Sequence, residues 1–267
     1  MTGPHLSFSG AVWANRPNYQ ILSMTLPLFW HPTDTTMRQS AARHMGAFTK
    51  ACRSLRELYE KFDRAPGDFE DLQPEFPHPR CYTSLDGKKQ VGFRYTCTLE
   101  VGKQLFIVKT DFGEELCIKF ARRYAREVHE QCAAWGISPP LRGLELVPGG
   151  WYMVVMDLLE EYECLQGVKP SFSHEQQERL RDELRMKLTD LHQMNLVHGD
   201  VRDANVMVSK DRLGWKLVDF DWSGKINEVR YPMNVTRGLG LRRPEGAVDG
   251  ELILADHDME MLEYLFR

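Results

Sequence analysis

The chain has 267 residues, 34 Lys and Arg against 38 Asp and Glu, a net charge of -4, and 42% hydrophobic residues. This is the composition of a soluble globular chain with one large domain, or a small domain and an extension, and it gives no general case for a nucleic-acid or anionic-membrane partner. The six cysteines (Cys52, Cys81, Cys97, Cys117, Cys132, Cys164) fall without close pairs, which excludes a zinc knuckle or disulfide framework and favours a reducing compartment.

No Lys or Arg precedes Arg16, and Ser23, Thr25 and Pro27 break the apolar run from Ile21 to Trp30. Neither a signal peptide nor a membrane span fits, so a cytoplasmic or nuclear protein, not a secreted one, is expected. Residues 1–35 mix Pro, Gly and aromatic residues without a period and read as an irregular arm. Over 36–63, Met37, Ala41, Met45, Phe48, Cys52, Leu55, Leu58 and Tyr59 recur every three or four residues, the mark of an amphipathic helix. Its apolar stripe is expected to pack against the lobe that comes after it in the chain. Pro66, Pro74, Pro77 and Pro79, with Asp86-Gly87, make 64–91 a linker or set of turns.

Strands are expected at Phe93–Leu99, Gln104–Thr110 and Glu114–Phe120, rich in Val, Ile, Phe, Tyr and Thr and separated by glycine turns. Tyr124, Val128, Cys132 and Trp135 then line one face of a helix from about Ala121, which Gly136 ends. Leu144–Val147 and Trp151–Met156, joined by Pro148-Gly149-Gly150, read as a hairpin. Ser173 and Gln176 have the form of a capping box, and Leu180, Leu184, Leu188 and Leu191 follow at helical spacing.

Two short apolar runs come next, each ending in polar side chains: Leu196-Val197-His198-Gly199-Asp200-Val201-Arg202-Asp203-Ala204-Asn205, and Trp215 to Val218 before Asp219-Phe220-Asp221. Asn205 lies five residues after Asp200, and Asp219 fourteen after Asn205. Singly, each acid is a turn former or a strand end. Together, at this spacing, they resemble the catalytic loop and metal-binding strand of the protein-kinase-like superfamily. The His-Gly-Asp form is similar to the aminoglycoside phosphotransferase and choline kinase branch, and the whole is most similar to compact fungal-type kinase-like domains.

The resemblance implies an α+β, two-lobed fold: a small antiparallel-sheet lobe with the hinge over 92–158, and a truncated, mainly helical large lobe over 159–267. It implies ATP and Mg²⁺ as cofactors. Asp200 would be the catalytic acid-base, Arg202 a charge-steadying cation, and Asn205 and Asp219 the metal ligands. Lys119, in the strand Glu115–Phe120, would reach the nucleotide phosphates with Glu127 as its partner from the following helix. Met156 and Asp157 would meet the adenine at the hinge. Asp111-Phe112-Gly113 spells the kinase metal triplet but lies upstream of its place, so a hairpin turn is expected there. Arg243-Pro244-Glu245 is weakly similar to the Ala-Pro-Glu that closes an activation segment. Asp256-His257-Asp258 opens a helix comparable to the one that supports the catalytic loop through an Asp.

The pattern departs from the family in lacking a Gly-x-Gly-x-x-Gly loop, in Asp221 where the metal triplet has Gly, and in Gly199 where His-Arg-Asp has Arg. Three readings therefore stay open: a phosphotransferase acting on Ser or Thr of a protein, a kinase of a small amino alcohol, and a pseudokinase or interaction module.

Overall fold

The computed structural model describes residues 5–13, 17–27, 33, 35–61, 76–100, 103–233, 235–236 and 241–266. The chain divides into two units, Met1–His78 and Pro79–Arg267. In the first, β1 (His5–Leu6) pairs antiparallel with β4 (Leu26–Pro27), and β2 (Ser9–Trp13) pairs with β3 (Pro17–Ile21) as a hairpin. Among its described residues the expected irregular arm holds four strands, each of two to five residues, too short for an alternation to build up in the sequence. Helix α1 (Thr35–Lys61) is the expected amphipathic helix. Phe48 meets Phe8 at 4.9 Å, while Met45, Leu55, Leu58 and Tyr59 stay exposed.

Of the expected linker over 64–91, residues 64–75 lie outside the described residues, and from Cys81 onward it already contains β5 and the start of β6 of the second unit's sheet. That sheet comprises β5 (Cys81–Thr83), β6 (Gln90–Thr98), β7 (Leu105–Thr110), β8 (Glu115–Ala121), β9 (Leu141–Val147) and β10 (Trp151–Asp157), in the order β5-β6-β7-β8-β10-β9. Every pairing is antiparallel. The sheet curls until its two edges meet, with Leu85 N donating to Arg142 O at 3.2 Å and Thr83 N to the Glu145 carboxylate. Gly143 permits this closure, because a Cβ there would stand 2.6 Å from the Tyr82 ring. Inside the curl, Tyr82, Phe93, Tyr95, Phe106 and Phe120 form a ladder of rings with centroids 5.4 to 6.4 Å apart. Successive strand residues point to opposite faces, so Leu116, Ile118 and Phe120 share one face of β8 and Cys117 and Lys119 share the other.

Helix α2 (Arg126–Ala134) is inserted between β8 and β9, and after β10 the chain mixes helices with short strands and long loops, so the expected mainly helical character rests on one long helix and the terminal helix. There β11 (Tyr162–Cys164) leads into a single turn, α3 (Leu165–Val168), and then α4 (His174–Gln193). The expected capping box on α4 is formed by Ser173 and Gln176. Its four leucines are buried with Val128 and Cys132 of α2, Phe220, and Met261 and Leu262 of α5 (Ala255–Tyr264). Short strands β12 (Leu196–Val197), β13 (Val206–Ser209), β14 (Trp215–Leu217) and β15 (Gly224–Lys225) carry the loops between α4 and α5. Asp111-Phe112-Gly113 is the tight turn joining β7 to β8, with Gly113 at φ +86° and Gly113 N bonded to Thr110 O at 2.9 Å.

Candidate active site

The loop after β12 is held from behind by one buried carboxylate. Asp258, in the first turns of α5 and 1% exposed, accepts the backbone N–H of His198 through Oδ2 and that of Gly199 through Oδ1, both at 2.8 Å. His192 Nε2, at the end of α4, lies 3.1 Å from the same Oδ2. Gly199 adopts φ +86°, and a Cβ there would come within 2.5 Å of Trp222 O. Only glycine combines that conformation with that closeness. The next link is His198, fully buried, whose ring faces a carbonyl that can only accept. Its Nε2–H therefore donates to Val218 O at 3.2 Å, and Nδ1 receives the Asp200 N–H at 3.3 Å.

Asp200 is thus presented at the loop's tip, 5% exposed, with both oxygens engaged. Oδ2 accepts from Arg202 Nε at 3.0 Å and from Asn205 Nδ2 at 2.9 Å; the same Nδ2 reaches Asp200 O at 2.9 Å. The Arg243 guanidinium lies 2.9 Å from Oδ1 at an angle too bent for a hydrogen bond, so a charge contact seals that oxygen. Asn205 O in turn accepts Val218 N–H at 3.0 Å, tying this loop to the strand end that delivers Asp219.

Asp219 has φ +73°, a left-handed backbone that a non-glycine residue rarely adopts and that tends to be kept at functional sites. Lys119 Nζ donates to Asp219 Oδ1 at 2.6 Å and to Asp221 Oδ1 at 2.7 Å. Burial acts to lower the Lys119 pKa, but the two carboxylates outweigh it and leave the ammonium firmly charged. Burial pushes the Asp221 carboxyl up to about 6, with Lys119 opposing and Asp219 adding to the push, whereas Lys119 holds Asp219 below its usual range despite burial. The site therefore brings together Lys119, Asp200, Arg202, Asn205 and Asp219, joined by direct bonds and one backbone link.

The chain is similar in structure to the Cydia pomonella granulovirus kinase PK-1, with a TM-score of 0.52 and 15% identity over 64% of this chain and 65% of that one. The fold is protein-kinase-like. No protein-family model and no curated protein matches the sequence.

Within this kinase-like fold, two sequence expectations need correction. Glu127 does not reach Lys119. Helix α2 starts at Arg126 rather than near Ala121, and its buried residues are Val128, His129 and Cys132, which leaves Glu127 exposed in the first turn. The carboxylates on Lys119 come instead from Asp219 and Asp221. Asp157 is also less available than a hinge residue should be: its N–H donates to Pro140 O at 3.1 Å and its side chain pairs with Arg142, leaving its carbonyl for a ligand. Met156 is buried beside Cys117, Leu141 and Val154. Of the β6–β7 turn, residues 101–102 lie outside the described residues.

Sequence reasoning missed Arg243 at Asp200 and the place His129 takes on α2. The His129 ring stacks on Phe220 with centroids 4.6 Å apart and planes at 13°. Nε2–H donates to Pro139 O at 2.7 Å, so Nδ1 accepts from the Tyr124 hydroxyl, also at 2.7 Å. Burial drives its pKa down to about 4. The unfolded chain then binds this proton first as pH falls, so the contribution of neutral His129 is complete above about pH 6.5 and shrinks by roughly 2–3 kcal/mol towards pH 4.5. Asp221 acts in the opposite sense over pH 4 to 6, because its raised pKa favours the fold at the acid end. We therefore expect urea unfolding of His129→Leu to show a smaller stability loss between pH 7 and 4.5 than the parent chain. An unchanged pH dependence would mean that His129 is charged in the fold.

Proposed function

We propose that this protein is an ATP- and Mg²⁺-dependent phosphotransferase that moves a phosphoryl group to an alcohol oxygen in the manner of a protein Ser/Thr kinase. The supporting observation is the division of labour at Asn205. Its amide nitrogen is spent on Asp200, which leaves its oxygen as the atom for a cation, while a backbone bond ties it to the strand that ends in Asp219. A hard divalent ion takes such oxygen ligands and completes its shell with phosphate and water. Asn205 and Asp219 would hold Mg²⁺, whose role is to neutralise charge on the transferring phosphates.

Asp200 orients the acceptor hydroxyl and takes its proton, and Arg202 steadies charge on the group in flight. Lys119 reaches the nucleotide phosphates, and Asp221 supplies the partner carboxylate that the family draws from its helix. The β8 face carrying Cys117 and Lys119 forms the nucleotide's apolar ceiling, and the backbone at and beyond Met156 and Asp157 meets the adenine. The protein would work inside the cell, in the cytoplasm or nucleus.

A thermal-shift titration with ATP, with and without Mg²⁺, tests this reading. Ligand at 100 times Kd adds about 2.7 kcal/mol to the fold and should raise Tm. Asp219→Ala should remove the Mg²⁺ dependence of the shift. Flat melting curves at millimolar nucleotide would transfer support to the pseudokinase or interaction-module reading. Asp221 and the glycine at 199 favour a second reading, a kinase of small amino alcohols, and labelled-ATP transfer to peptides and to amino alcohols separates the two.

A further inference from the structure

We infer that the acceptor recognised beside Asp200 carries an anionic group, a phosphate or carboxylate, next to its hydroxyl; this rests on the phosphotransferase reading and narrows its substrate. Two observations lead there. The first is the cleft next to the catalytic loop, lined by Lys169, Arg202 and Arg242 with apolar walls that include Leu241, Met261 and Leu265. Lys169 is partly neutralised by Asp203 at 2.5 Å, and Arg242 is exposed. Among the described residues, Lys169 pairs with Asp203, Arg202 and Arg243 share Asp200, and Arg242 adds a fourth cation, in a chain whose net charge is -4. Positive charge is thus concentrated where the acceptor must approach, against the sign of the chain as a whole.

The second observation is how Arg243 is held. Its side chain is 3% exposed, its Nε donates to Thr236 O at 3.0 Å, and its guanidinium lies 4.6 Å over the Trp222 ring and 2.9 Å from Asp200 Oδ1. A hydroxyl that is to share Asp200 must displace this contact. A buried guanidinium stripped of its anion is strongly unfavourable, so a neutral acceptor has nothing to give in exchange. An acceptor with its own anion replaces the lost partner, and Arg202, which touches Asp200 and lines the cleft, places that anion within a side chain's reach of the hydroxyl.

The test uses the full chain. Three fluorescein-labelled peptides, each with one serine flanked by aspartates, asparagines or lysines, are titrated by anisotropy without nucleotide. The same peptides, with glycerol 3-phosphate and glycerol, are then offered with labelled ATP. The aspartate peptide should bind at least tenfold more tightly than the asparagine peptide, with the lysine peptide weakest. Arg242→Glu, at an exposed position, should erase or reverse that order. Label on the aspartate peptide indicates a protein acceptor, and label on glycerol 3-phosphate but not glycerol a small one; either supports the inference. Equal binding of the three peptides, an order unmoved by Arg242→Glu, or label on neutral and anionic acceptors alike overturns it. Because the anisotropy arm needs no ATP, charge-selective binding without a nucleotide-induced Tm shift or transfer would sink the phosphotransferase reading while leaving the anion cleft standing.

Discussion

Asp200→Asn is expected to slow phosphoryl transfer by about 10³-fold, within the usual range for losing a positioned general base. The amide keeps the shape of the carboxylate but loses the charge opposite Arg202 and Arg243. Stability should therefore fall as well, by about 1–3 kcal/mol, because hydrogen bonds to charged groups are lost in a buried setting. The two effects can be separated. Asp200→Asn combined with Arg243→Gln removes the buried cation left without its anion, so the melting temperature should recover while transfer stays low. Recovery of transfer in the double variant would show that Asp200 serves only to neutralise Arg243. The ATP-induced Tm shift should persist in both variants, since nucleotide is assigned to Lys119, Asn205 and Asp219.

Asp258→Ala should have the largest effect on stability, about 3–5 kcal/mol, because it orphans two buried N–H groups and removes an anion beside His192. Asp258→Asn, with one accepting oxygen in place of two, should fall between. Urea denaturation gives the stability, and the ATP-induced shift shows whether the loop still assembles. A loss under about 1 kcal/mol for the alanine variant would mean that the loop is held by other contacts, such as Ser223 Oγ to His198 O at 2.7 Å.

The kinase-like fold was legible because its signals are local. The spacing of Asp200, Asn205 and Asp219, the capped leucine helix α4 and the glycine-punctuated strands each follow from neighbours in sequence. The Asp111 turn was readable for the same reason, since Asp-Phe-Gly between two apolar strand runs is hairpin chemistry. Glu127 was misplaced although Val128 and Cys132 do face inward: His129 extends their buried face on the side away from Glu127, which falls beyond that face's boundary. Nothing nearby in sequence marks that boundary. Arg243 was illegible for another reason: 43 positions separate it from Asp200, and only the fold of the intervening segment brings them together. The strands β1 to β5 were missed because pairs of two to five residues leave no period to read.

The double grip on Lys119 has a consequence for the order of events. A divalent ion arriving at Asp219 would contest the same oxygen as the ammonium, and each competitor loosened from that oxygen becomes free to meet phosphate. Metal and nucleotide should accordingly strengthen one another's hold, with equal factors in both directions. Held by Asp219 and Asp221, the Lys119 ammonium is balanced within the fold itself and needs no nucleotide phosphate to keep it there.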